Sequence, residues 1–147
     1  MTSDQAKYAS EREMSLKLIR TLLATKEGVD SCPLSLLRML VAVAEHSEDR
    51  LRNPCIETLC ELAVLSPRVA FDCGAIKLLF TFLVEGPKEL LDGIVLTVLY
   101  LLDAQDARFY IRPSVELEAF FIRKKTLTSI DGCFILYRCL REQNGWK

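Results

Sequence analysis

Apolar residues return along this chain at helical spacing, in blocks cut by glycine and proline. In MSLKLIRTLL, residues Met14, Leu16, Leu18, Ile19, Leu22 and Leu23 form a mostly one-sided stripe, which predicts an amphipathic helix over 14–23. Pro33 suits the first turn of another helix reaching about Ala44, because that turn needs no backbone donor there. Asn53 and Pro54 open a third in the same way. Ser66 and Pro67 begin a short helix that Gly74 can close in a left-handed cap. Pro87 opens a long apolar helix ending near Leu102, and Ser129 can cap a last one. No Asn-Gly or Asp-Gly turn joins alternating apolar runs, and Asp131-Gly132 falls at a helix start. The pattern predicts an all-α protein.

The helices also repeat. When LKLIRTLLAT, IETLCELAVL and VLTVLYLLDA are aligned, Leu16, Ile56 and Val95 share a column. Ile19, Leu59 and Val98 share the next, then Leu22, Leu62 and Leu101, and Phe134, Tyr137 and Leu140 continue all three. The steps Leu16 to Ile56 to Val95 to Phe134 are 40, 39 and 39 residues. Leu37, Ile76 and Val115 keep the same interval. A period near 40 residues is that of armadillo and HEAT units, and it predicts a right-handed α-solenoid of about three to four repeats. The middle copy carries the armadillo-like turn, with Gly74, Ala75, Ile76, Leu79 and Phe82–Leu83 following a short helix. Units of this kind bury their apolar sides only by stacking. The expected domain is therefore a single armadillo-like segment over 1–147.

Composition narrows the function. Half of the 147 residues are hydrophobic, 27% are charged and the net charge is -1, so no global field draws the chain to nucleic acid or anionic lipid. The run from Ile94 to Leu102 is too short to span a bilayer, and MTSDQAKYASERE lacks the apolar core of a secretory signal. Both point to the cytoplasm. The cysteines, Cys32, Cys55, Cys60, Cys73, Cys133 and Cys139, form no C-x-x-C pair and read as small buried hydrophobes. With His46 as the sole histidine, no metal site is expected. His46 lies in AEHSED, where it helps to end a helix, and Glu45, Glu48 and Asp49 read as a solvated turn next to Arg50 and Arg52. Neither a phosphate-cradling loop nor a nucleophile with its base is present, so no catalysis and no cofactor are expected.

Arg108, Tyr110, Arg112, Arg123, Lys124 and Lys125 make the best basic and aromatic grouping. Glu116 and Glu118 interrupt it, which argues against nucleic acid. Phe109 and Ile111 fit inward positions of a short helix, with Val115, Leu117 and Phe121 in the core of the next. Arg108 and Arg112 then lie one turn apart. The asparagine and tryptophan ladder by which import adaptors hold extended peptides is absent, since only Asn53, Asn144 and Trp146 occur.

Three landmarks carry a family resemblance: EREMSLKLIRTL (Glu11–Leu22), CELAVLSPRVA (Cys60–Ala70) with Gly74, and R-x-Y-I-R-x-x-V-E-L-E (Arg108–Glu118). Over Tyr8 to Lys125 the chain resembles the amino-terminal armadillo-like region of the Rictor family. Because members of that family are many times longer, the resemblance implies that 1–147 is a fragment of a longer amino-terminal domain, a truncated gene model or a divergent short form. It also implies a non-catalytic scaffold within TOR complex 2, in the cytoplasm or at a membrane through the complex. The implied partners are the TOR kinase and a Sin1-type subunit, and the output is signalling to growth and actin organisation. Arg108, Tyr110, Arg112, Glu116 and Glu118 are the candidate partner contacts. A free-standing armadillo adaptor for other proteins or peptides is the alternative expectation.

Overall fold

The structure, a computed structural model, is described for residues 3–103. Among them are seven α-helices, one 3-10 turn and no strand. The first helix, α1 (Ser3–Leu22), begins well before the apolar stripe that predicts it. Its polar half contains no glycine or proline and is rich in good helix formers, so it continues the helix without a core to face. Leu16 is the first residue of α1 to be buried.

The short helix α2 (Lys26–Ser31) starts at Thr25, whose Oγ1 accepts a 3.1 Å hydrogen bond from the Gly28 N–H. A side chain at Gly28 would meet the Leu22 carbonyl oxygen at 1.7 Å, so the close approach of α2 to the end of α1 requires glycine. Next, α3 (Leu34–Glu45) follows Pro33 and buries Leu37, Leu40, Val41 and Ala44, the i, i+3, i+4, i+7 face. Then α4 (Arg52–Leu65) buries Cys55, Ile56, Thr58, Leu59, Leu62 and Ala63, a set too wide for one stripe. This width fits its position, since α4 packs against α3, α5, α6 and α7.

Ser66 and Pro67 start α5 (Pro67–Asp72), and Gly74 joins it to α6 (Ala75–Glu85). Gly74 has φ 89°, the left-handed conformation expected of it, and its N–H donates to the Phe71 carbonyl at 3.1 Å. After Pro87 a 3-10 turn (Lys88–Leu90) leads into α7 (Leu91–Asp103). Proline thus opens this segment as expected, but the first turn is tighter than an α-helix.

A short, a medium and a longer helix therefore occur twice in order, as α2, α3, α4 and as α5, α6, α7. The aligned columns have a burial counterpart. Ile56 and Val95, Leu59 and Val98, and Leu62 and Leu101 are all 3% exposed or less. Leu37 and Ile76 are buried as well. The first copy departs from the pattern at its end, where Leu22 is 40% exposed and Leu23 is buried instead. Helix α1 stops at Leu22, and the turn into α2 brings the next residue inward. Val115, Phe134, Tyr137 and Leu140 lie outside the described residues.

Gly74→Ala is expected to destabilise the chain by about 1–2 kcal/mol, the strain of an L-residue in the left-handed region. An added Cβ meets no atom within 4 Å there, so sterics contribute nothing further. Gly93→Ala, in the exposed first turns of α7, meets no neighbour either and should stabilise by about 0.5–1 kcal/mol through helix propensity. Urea titrations of the two variants should therefore move in opposite directions.

Candidate functional site

The predicted contacts Arg108, Tyr110, Arg112, Glu116 and Glu118 lie outside the described residues, as do Arg123, Lys124 and Lys125. Among the described residues, polar contacts tie α1 to the rest and join α3 to α6 at Arg52, and a groove lies between α4 and α7.

His46 is the exposed C-cap of α3, with its backbone N–H donating to the Val43 carbonyl at 3.1 Å. Glu45 and Glu48 are exposed. Asp49 departs from the solvated turn expected for this segment. Its Oδ1 accepts from the Leu51 N–H at 2.9 Å, shaping the turn before α4, and its Oδ2 accepts from Arg12 Nη2 at 2.9 Å. The Arg12 hydrogen bond outweighs partial burial and holds the Asp49 carboxyl below the usual carboxylate range. Arg12 also lies over the Tyr8 ring, 5.9 Å from its centroid.

Three further contacts follow along α1. Glu13 approaches Arg50 at 4.0 Å, and Arg20 reaches Glu61 at 3.2 Å and Glu57 at 4.0 Å. Arg52 fastens another junction, because its Nε donates to the Ala44 carbonyl at 3.2 Å while its guanidinium lies 5.3 Å from the Phe82 ring centroid. It closes the end of α3 and touches α6 together. Sequence reasoning placed Arg52 in a charged turn and missed both roles. The partners stand 8 and 30 residues away (52 − 44 and 82 − 52), beyond any local pattern.

The thiols show what chemistry these residues favour. Burial pushes Cys55 up to about 11 and raises Cys32, Cys60 and Cys73 in the same direction. Each is a thiol at neutral pH, where a nucleophile or metal ligand would need a thiolate. Cys32, Cys55 and Cys73 are buried and Cys60 partly so, as their apolar surroundings in the sequence imply. No group of three His, Cys, Asp or Glu among the described residues could hold a metal ion.

The groove has a volume of about 720 Å³ and lies between α4 and α7, with Leu23 and Ala24 and the Lys88–Leu90 turn also in its lining. Ile56, Ile94 and Leu23 form its buried floor. Glu57 and Glu61 stand on the α4 side and Glu89 on the other. Outside the groove, Leu96 and Tyr100, one turn apart on α7, are 66% and 49% exposed.

Asp49→Asn keeps the oxygen that accepts from Leu51 and removes the charge that Arg12 binds. At neutral pH it should cost about 1–2 kcal/mol, the range for a half-buried, charge-assisted hydrogen bond. Because folding lowers the Asp49 pKa, its stabilisation is full above the unfolded value and is lost as pH falls through the folded one. Urea titrations across pH should show wild type and variant converging only in acid, below the ordinary carboxylate range.

Comparison with known proteins places the chain. A family model described as "Rapamycin-insensitive companion of mTOR, N-term" matches residues 2–127. Protein pianissimo A of Dictyostelium discoideum is 32% identical over 109 residues, covering 74% of this chain and 9% of that protein. Target of rapamycin complex 2 subunit ste20 of Schizosaccharomyces pombe is 32% identical over 108 residues, covering 71% and 8%. The human rapamycin-insensitive companion of mTOR is 29% identical over 112 residues, covering 74% and 6%. The chain thus spans less than a tenth of the length of these relatives. No solved structure matches it. No helix of the described residues is long and apolar enough to cross a membrane. With the family model matched from α1 through α7 and across Arg108–Glu118, the chain belongs to the Rictor family of TOR complex 2 subunits.

Proposed function

We propose that this chain is a non-catalytic scaffold segment of a Rictor-like subunit of TOR complex 2, acting in the cytoplasm. Residues 1–147 form a single armadillo-like segment, a right-handed solenoid of about three to four repeats. The observation that carries this reading is the family match over residues 2–127, because relatives with that region include a named subunit of the complex. The twofold recurrence of short, medium and longer helices supports the solenoid.

A solenoid offers a partner rigid helical surface at little entropic cost on binding. In this reading the TOR kinase and a Sin1-type subunit are positioned on that surface. Arg108, Tyr110, Arg112, Glu116 and Glu118 make the contact, since periodicity explains the apolar residues around them and not these side chains. The experiment is affinity purification of the native gene product that contains this segment. The kinase and the Sin1-type subunit should co-purify with it, and charge reversal at Arg108 and Arg112 should reduce the kinase recovered. Recovery of other proteins without the kinase would contradict the assignment and favour a free-standing adaptor.

A further inference from the structure

The α4–α7 groove combines an apolar floor with an unbalanced charge on its rim. Leu23, Ile56 and Ile94 are buried in the floor, and Val64 adds a side chain 37% exposed. The Thr97 hydroxyl donates back to the Gly93 carbonyl at 2.8 Å, so it leaves the floor effectively apolar. The charged side chains of the lining are Glu57, Glu61 and Glu89, with no lysine or arginine among them. Arg20 offsets part of the charge on Glu57 and Glu61, and Glu89 accepts 3.2 Å from the neutral amide of Asn53 and also feels the charge of Arg52. The whole chain carries a net charge of only -1, so this acidity is local to the groove.

We propose that this groove docks a short peptide segment whose leucine-sized side chains are flanked by lysine or arginine. The two features select the occupant together. An apolar floor of this volume takes in side chains and would not hold a simple cation. The carboxylates are exposed and spread over separate elements, which suits cationic side chains reaching from a bound segment and not a coordinated metal. They lie at the rim, where they steer a basic partner and reject an acidic one. Because they face water, the attraction is screened over about 8 Å at physiological salt, so affinity falls as salt is added. This inference goes beyond assembly of the complex and does not depend on it.

The test uses the purified full chain and three labelled peptides of equal length, read by fluorescence anisotropy. One alternates leucines with lysines, the second replaces lysine by glutamate, and the third replaces leucine by serine. The leucine–lysine peptide should bind, and the other two should bind at least about tenfold more weakly. The charge-neutralising variant Glu57→Gln/Glu61→Gln/Glu89→Gln should lose about tenfold in affinity for that peptide. Val64→Arg should weaken it too, while Glu48→Gln, outside the groove, should leave it unchanged; circular dichroism establishes that each variant is folded. Equal binding of the glutamate peptide would overturn the proposal. So would unchanged affinity in the triple variant, or no binding at millimolar peptide. Self-association of the chain that the triple variant abolishes would assign the groove to a second copy and equally overturn it.

Discussion

Burial of α4 on several sides at once is the constraint on which the other described helices depend. Ile56, Leu59 and Leu62 are each 1% exposed or less, and α3, α5, α6 and α7 all pack against the helix that bears them. A helix with apolar residues over most of its circumference cannot be stable alone in water, and its neighbours cannot cover their own apolar faces without it. Each fully buried leucine of this kind is worth about 2–5 kcal/mol against alanine, a large share of a typical domain's net stability. The short helices and the Gly74 turn return the chain so that α7 reaches α4. The groove lies where α4 and α7 pack together, over a floor of Leu23, Ile56 and Ile94.

Helix α1 is held differently. Leu16 and Leu23 enter the core and Ile19 packs at its edge, while Arg12, Glu13 and Arg20 reach out to charges on the following elements. Exposed ion pairs are weak and screened, whereas the Arg12–Asp49 bond is half-buried and doubles as the anchor of the turn into α4. The first half of α1 therefore depends on electrostatics and helix propensity, where α4 depends on packing. Arg20 also places its charge beside the groove, so the attachment of α1 and the acidity of the rim are linked through Glu57 and Glu61.

Much of the architecture was legible from residues with one physical role. Pro33, Ser66–Pro67 and Gly74 stand at helix boundaries because each suits few other positions, and the matched columns of α4 and α7 are buried because spacing alone sets a helix face. What stayed hidden has equally specific causes. The polar half of α1 shows no apolar period because it faces no core, and α2 is too short to show one. Leu22 and Leu23 exchange roles because a helix ends between them. Asp49 and Arg12 are 37 residues apart, and the groove joins Glu57 and Glu61 to Glu89 from another element, so neither site leaves a local mark. The charged contacts singled out around Arg108 are outside the described residues, and the family match is what bears on that stretch.

Native-state hydrogen exchange tests most directly whether packing around α4 is the common support. Amides of α4 and the α7 helix against it should exchange only through global unfolding, with the highest and closely similar opening free energies. Amides of α1 before Leu16 should exchange through a separate local opening of lower free energy, made easier by added salt. Equal protection of α1 and α4, or exchange of α4 by a local opening of its own, would contradict the account.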